Sequence, residues 1–324
     1  MRVWRAVGKA AQMLALFLLL IVLVFFLSRL APGDPLRAYY GKSVERMNEQ
    51  QRQAAEHMLG LDQPLPAQFA IWCKNALSGN FGISFQYKQD VMAVIAGRYQ
   101  NTLILAGTAF VLTFALAVPL GIWCAAHEGS FFDKLLCRVG AALSCIPTFF
   151  LAVLLIAVFG VALGVLPSGG AYPVGQSGDF WGRVRHLILP ASTIVLGHFW
   201  NYAYLVRSRL SQELCMDYVL MLRAKGIGRR KILLKHCLRN ILPSLLSMAA
   251  LAVPHMVGGT YIVEKVFSYP GLGALCFEAA QYHDYNLLLV LCVLTGAVVA
   301  ICALLAEFLE KKADPRMQRE AHHA

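Results

Sequence analysis

Six long runs of this chain exclude charge almost completely, and that pattern limits the folds open to it more than any other feature. The runs cover residues 10–30, 103–126, 139–166, 187–206, 241–263 and 287–308, and charge enters them only at the ends, as Arg29 in the first and Glu307 in the last. A helix needs about 20 apolar residues to cross about 30 Å of hydrocarbon, so each run is long enough to span a bilayer. Composition agrees: 58% of the 324 residues are hydrophobic and 15% charged, against about 45–50% and about 25% in soluble domains. The expectation is an all-α polytopic membrane protein with six transmembrane helices. A cytosolic enzyme and a disordered tail are both excluded.

The connections sort by charge. Arg2, Arg5 and Lys9 precede the first run, and Lys311, Lys312, Arg316 and Arg319 follow the last. Residues 207–240 hold nine cations, Arg207, Arg209, Arg223, Lys225, Arg229, Arg230, Lys231, Lys235 and Arg239, against Glu213 and Asp217. The alternate connections hold only Arg183 and Arg185 before the fourth run and Lys265 before the sixth. Cations gather on the cytoplasmic side of a membrane protein, so both termini and residues 207–240 are expected in the cytoplasm. Residues 31–100 form a long connection whose seven Lys/Arg do not overturn this, because long loops translocate largely regardless of charge. The net charge of +11 therefore reads in large part as a topology marker, not as nucleic-acid binding. The first run is long for a cleaved signal peptide, and Ser28-Arg29-Leu30-Ala31-Pro32 offers no small-x-small site, so an uncleaved first helix is expected.

Catalytic signatures fail on spacing or context. Gly41-Lys42-Ser43 lacks the earlier Gly of a phosphate-binding loop, since position 36 is Leu, and His127-Glu128 is followed by Phe131 where a zinc-protease helix needs His. Gly175-Gln176-Ser177-Gly178 resembles the serine motif of intramembrane proteases, with His198 and His255 in later runs as bases. Yet Ser177 sits in a segment, 168–178, whose four Gly read as a flexible turn. The nine Cys show no C-x-x-C spacing; only Cys73 and Cys276 fall outside, and most read as small apolar residues.

Residues 207–240 carry the most information. Leu214, Tyr218, Met221 and Leu222 recur at helical spacing, which predicts a short amphipathic helix over 214–226 with one apolar stripe and a cationic edge at Arg223 and Lys225. Gly226 stops it in a left-handed conformation, and a second helix starts near Gly228 and runs toward Asn240. Three uses compete: cations that only enforce topology and touch anionic lipid, a site for a calmodulin-like or other peripheral partner, and a coupling helix seated in a cytoplasmic motor. A compact apolar knob with a Gly stop favours a shaped partner over a diffuse basic tail.

Asp217-Tyr218-Val219, Arg223-Ala224-Lys225-Gly226, His236, Leu238-Arg239-Asn240 and Pro243 resemble the coupling loop of ABC-importer permeases of the peptide/nickel family. The resemblance covers nearly the whole chain: Pro32-Gly33-Asp34-Pro35, Leu59-Gly60-Leu61-Asp62-Gln63-Pro64-Leu65, Phe81-Gly82-Ile83-Ser84, Pro119-Leu120-Gly121, Glu264, Phe267-Ser268-Tyr269-Pro270-Gly271-Leu272-Gly273, Asp284-Tyr285 and Asp314-Pro315-Arg316 follow in order. The chain departs from the pattern at Met221 and Leu222, where the general ABC loop favours two Ala, at Leu220, where it favours Glu, and at Glu307, where the family usually has Asp. The resemblance is to the first of the two permease subunits.

It implies a type I importer permease fold of the MetI-like kind in a bacterial inner membrane. Residues 1–30 would hold the cytoplasmic N-terminus and first helix, 31–100 the external loop, 101–310 the permease core and 311–324 a cytoplasmic tail. It also implies a second permease subunit, two ABC ATPase subunits and an external substrate-binding protein. ATP and Mg would then sit on the partners, with no cofactor and no catalytic residue on this chain. Leu214, Asp217, Tyr218, Met221, Leu222, Arg223, Ala224, Lys225 and Gly226 would dock on the ATPase. A membrane-embedded hydrolase or an ATP-independent channel are the competing classes.

Polar side chains inside spans are costly and mark pathways; here they are His198 and Asn201 in the fourth run and His255, beside Met256, in the fifth, while Ser192 and Thr193 can bond their own helix. Pro147, Pro190, Pro243, Pro254, Gly258 and Gly259 are helix breakers at depth. Glu264, Pro270, Gly271 and Gly273 mark an external turn that Glu264 orders. Whether the cargo is a peptide, nickel or nickel bound to a small chelator stays open: His198, His255, Met256 and His283 would suit a borderline metal, but importers choose solute at the external binding protein.

Overall fold

The computed structural model describes residues 2–30, 34–176 and 178–313. Pro32, Gly33, Ser177, Asp314, Pro315 and Arg316, singled out above, lie outside them, as does the rest of the C-terminal tail. In chain order the helices are α1 (Arg2–Leu30), α2 (Pro35–Tyr40), α3 (Glu49–Met58), α4 (Leu65–Leu77), α5 (Val91–Ala96), α6 (Tyr99–Ala126), α7 (Phe131–Ser144), α8 (Thr148–Leu155), α9 (Phe180–Leu214), α10 (Asp217–Ala224), α11 (Arg229–Lys231), α12 (Leu238–Val266), α13 (Leu272–Gln281) and α14 (Tyr285–Ala313). Wider π-helical turns at Ile156–Ala162 and Ile232–Cys237 extend α8 and join α11 to α12. Among the described residues the β pairing is one isolated bridge between Ile83 and Asp90, so the all-α expectation holds.

Length and composition account for four or five of the six expected spans. Four helical runs are long and apolar enough to cross a membrane, Ala11–Leu30, Val91–Ala126, Arg229–Val266 and Tyr285–Leu309; Phe131–Leu143 and Thr148–Ala162, bent by 98°, make a fifth if they act as one. The third expected run, 139–166, is therefore not continuous. Pro147 disfavours the helical region for Ile146 and becomes the extended residue that precedes α8. The fourth expected run lies inside α9, whose 35 residues reach about 50 Å at 1.5 Å per residue. Length is not what α9 lacks. His198, Trp200, Asn201, Tyr202 and Tyr204 dilute its apolar stretch below that of the other spans. Helices run through Pro119, Pro190, Pro243 and Pro254, so of the prolines at depth only Pro147 sits at a break.

The chain forms two compact units, residues up to 101 with 270–300, and residues 102–269 with those from 301 onward. In the first, Phe25 of α1 is buried and meets Phe69 of α4 edge-on at 5.1 Å. The Arg29 guanidinium lies 5.3 Å from the rings of both Phe25 and Tyr285, so the cation ending the first apolar run rests on two aromatic faces. The long connection is no loose loop: Val91, Val94 and Ile95 of α5 form a core with Leu275 of α13 and Leu287 and Leu291 of α14. Asp284, fully buried, accepts from the Ser84 hydroxyl, from the Gln86 N–H (3.1 Å) and from the Leu287 N–H (3.3 Å). Nearby, the Tyr87 hydroxyl donates to Glu278 (2.7 Å) and accepts from Arg98 (2.9 Å). Burial, aided by the Glu278 carboxylate, pushes the Tyr87 phenol up to about 12.

In the second unit α9 packs against α7, α8 and α12. It crosses α6 at Gly121, where a Cβ would lie 2.7 Å from the Ala203 carbonyl oxygen, an approach only glycine permits. Thr193, read as bonding its own helix, donates to the Leu189 carbonyl (2.9 Å). All nine cysteines are free thiols, Cys73 and Cys276 included.

Candidate functional site

The segment between α9 and α12 departs in register from the expected 214–226 helix. Leu214 ends α9, the chain turns at Cys215 and Met216, and α10 runs from Asp217 to Ala224. Asp217 in the first turn complements the positive end of the helix. At the other end the Gly226 N–H bonds the Arg223 carbonyl (2.9 Å) and the Ile227 N–H bonds the Leu222 carbonyl (3.1 Å), with Gly226 at φ +73°. This double closure needs a left-handed residue at its centre, so the expected glycine stop is present. A continuous helical run then leads from Arg229 to Val266.

The expected single apolar stripe splits into two faces. Val219 is fully buried and joins Ala125, Val206, Leu210, Ile232 and Cys237 in one core, with Leu214, Tyr218 and Leu222 packed on its edge. Met221 instead faces outward at 52% exposure, together with Met216 at 49% and Leu220 at 61%. Asp217, Arg223, Ala224, Lys225 and Gly226 are also exposed. One face of α10 is thus spent on holding the helix, and the other offers three unpartnered apolar side chains. The sequence pattern placed Met221 correctly as apolar but on the wrong face, and it missed Met216 and Leu220.

Polar contacts reinforce the inner face. The Tyr218 hydroxyl donates to Glu213 Oε1 (2.7 Å) and lies 3.5 Å from the Cys237 sulfur, and Asn240 Nδ2 donates to the same Glu213 oxygen (2.9 Å). Burial, with the Cys237 and Glu213 contacts, pushes the Tyr218 phenol upward, so it stays a hydrogen-bond donor at any physiological pH. On the neighbouring side Arg207 is no free topology cation: its Nε and Nη2 bond the two oxygens of Asp133 (2.8 and 2.9 Å), and Nη2 also reaches Glu128 (3.2 Å). Asp133, nearly buried, further accepts from the Gly129 N–H (2.9 Å). Neither Glu213 nor Asp133 was legible as a contact, because each partner lies far along the chain or on another helix.

Of the four pathway candidates, the structure brings His198 and His255 together. Their rings lie 5.6 Å apart and nearly perpendicular, with Nδ1 of His198 3.1 Å from the Ile194 carbonyl. That carbonyl fixes the proton on Nδ1 and leaves Nε2 as an acceptor. Asn201 is exposed on α9, whereas Met256 is buried in a core with Ala117, Leu136, Tyr202 and Ala252. At the expected turn, Glu264 is fully buried, accepts from the Thr102 hydroxyl (2.7 Å), and its carbonyl receives the Tyr269 N–H (2.7 Å). The Pro270 carbonyl accepts from Asn101 Nδ2 (2.9 Å); Gly271 precedes α13 in extended conformation and Gly273 lies within it. Among the described residues no three His, Cys, Asp or Glu side chains gather where one metal ion would reach them.

The family of binding-protein-dependent transport system inner membrane components matches residues 117–319, and its N-terminal counterpart matches residues 3–106. A peptide permease protein of Brucella suis biovar 1 is 33% identical over 306 residues, 94% of this chain and 96% of the relative. The oligopeptide transport system permease protein AppB of Bacillus subtilis is 30% identical over 298 residues, 92% of this chain and 93% of its own. The inward-facing MetNI methionine ABC transporter shares the fold at a TM-score of 0.56 and 17% identity, covering 69% of this chain and 97% of the solved one. With its family matched over more than half its length and its relatives aligned nearly end to end, the chain belongs to the binding-protein-dependent transport system inner membrane components, as an ABC importer permease whose ATP hydrolysis lies in separate subunits.

Proposed function

We propose that this permease carries peptides, forming the translocation path with a second permease while two ATPase subunits dock on α10 and an external binding protein delivers the solute. The observation that carries the coupling reading is the split of α10: Val219, Tyr218 and Leu222 fasten it inward, and Met216, Leu220 and Met221 face out. An apolar knob on a braced helix fits a groove on a moving partner. In this reading the α9–α12 segment and both termini are cytoplasmic, and ATP and Mg sit on the partners. Closure of the ATPases on ATP drags α10 and tips the helices from inward-facing to outward-facing; hydrolysis reverses the movement. The peptide assignment rests on relatives named for peptide and oligopeptide transport.

His198, His255 and Asn201 supply the polar lining, with the free Nε2 of His198 placed to accept from a peptide N–H. In proteoliposomes holding the complete transporter, Leu220→Asp is expected to cut binding-protein-stimulated ATP hydrolysis and peptide uptake by about tenfold or more, the scale of a central interface residue. Unchanged rates would overturn the docking assignment. Uptake of nickel without peptide would overturn the substrate, and a His198→Ala variant with an unaltered KM for uptake would remove that residue from the path.

A further inference from the structure

The covalent ties of α10 to its neighbours are compliant. On one side stands the short turn at Cys215 and Met216; on the other, the link to α11 contains Gly226, at φ +73°, and Gly228. The core around Val219 braces α10 by packing, which is non-directional and adds no specific bond between the helix ends. One carboxylate oxygen closes that gap. Glu213 Oε1 sits at the end of α9 and accepts at once from Tyr218 in the first turn of α10 (2.7 Å) and from Asn240 in the first turn of α12 (2.9 Å). Three helices meet at a single acceptor.

The segment before Asn240 is built to make that meeting. Ile232–Cys237 is π-helical, and a π turn adds one residue to the helical count, rotating everything after it by about 100° relative to an unbroken α-helix. Wide turns of this kind weaken the local hydrogen bonding and persist where something gains from the altered register. Here the altered register sets the angular position of Asn240. Cys237, at the end of the π segment, lies fully buried beneath Tyr218.

We propose that Glu213 is a positioning residue that latches α10 to α9 and α12, so that displacement of α10 moves both helices as one body. This rests on the reading of α10 as the ATPase-docking helix. Glu213 touches neither solute nor nucleotide in that role, and its effect appears in the yield of transport per ATP consumed rather than in binding.

The test measures peptide uptake per ATP hydrolysed in proteoliposomes holding the complete transporter, with assembly followed by co-purification of the ATPase subunits. Glu213→Ala is expected to lower that ratio by about fivefold or more, the effect of removing a charge-assisted acceptor from two donors. Glu213→Gln, which keeps a carbonyl oxygen in the same place, restores it to within about twofold. Tyr218→Phe lowers the ratio alone but adds little to Glu213→Ala, because both remove the same bond. A ratio unchanged in Glu213→Ala, or losses that add fully in the double variant, would overturn the latch. If Glu213→Ala fails to assemble, Tyr218→Phe and Asn240→Ala decide: two unchanged ratios refute it and two lowered ratios support it. Leu220→Asp separates the two claims: if it uncouples while Glu213→Ala does not, the latch alone falls, and if neither has an effect, the docking reading falls first.

Discussion

Asp284 and Glu213 each gather one donor from nearby in sequence and others from far along the chain, and they differ in what those donors are. Asp284 is fully buried and takes the Ser84 hydroxyl plus two backbone N–H groups, from Gln86 and Leu287. Glu213 is half-buried and takes two side chains, Tyr218 and Asn240. A backbone donor cannot turn away unless its loop unfolds, whereas a side-chain donor leaves by changing rotamer. The first arrangement fixes residues 83–98 against α13 and α14 for good. The second depends on the rotamers of Tyr218 and Asn240 alone.

The largest expected effect follows from that contrast. Asp284→Ala leaves a buried N–H, a part-buried N–H and a buried hydroxyl unpaired and is expected to cost about 3 kcal/mol or more of stability, since each orphaned buried group costs about 1–3 kcal/mol. Thermal unfolding of the purified transporter in detergent reads it. On the same scale Glu213→Ala is expected to cost about 1 kcal/mol or less, because water can replace the acceptor at a half-open site. Equal losses in the two variants would erase the comparison.

A smaller effect concerns Tyr87, in the same region as Asp284. Its phenol titrates near about 10 when unfolded and is pushed up to about 12 when folded, so the folded state holds the proton more tightly. The stability this contributes is fully present below the unfolded value and is lost as pH rises through the folded one. Tyr87→Phe is therefore expected to flatten the fall in thermal stability across that alkaline window and to change little at neutral pH. An unaltered alkaline slope in the variant would show that Tyr87 is not held by Glu278 and burial as described.

Periodicity made the helices legible wherever one apolar run met one membrane crossing, as in α1, α6, α12 and α14. It also exposed Gly226, because a left-handed stop announces itself by residue type. It missed the break within 139–166, where apolar content hid what Pro147 imposes through Ile146, and in α9 charge-free length concealed how polar His198, Asn201 and the tyrosines make the helix. The two-faced α10 was out of reach for a different reason. Val219 is buried by Val206, Ile232 and Cys237, and helical spacing states which residues share a face without saying which face is already occupied. Glu213 shows the same limit, since beside nine cations it read as one of two counter-charges and only the fold brings Tyr218 and Asn240 to it.

In the proposed coupling, the outward face of α10 meets the ATPase. A photo-crosslinking side chain placed at position 220 of the assembled transporter tests it directly, with position 71 on α4, where Ile71 is 52% exposed, as the exposed control. A crosslink from position 220 to an ATPase subunit is expected, with a yield that changes when ATP is bound, and none from position 71. A crosslink from position 220 to lipid alone, whatever the nucleotide, would contradict it.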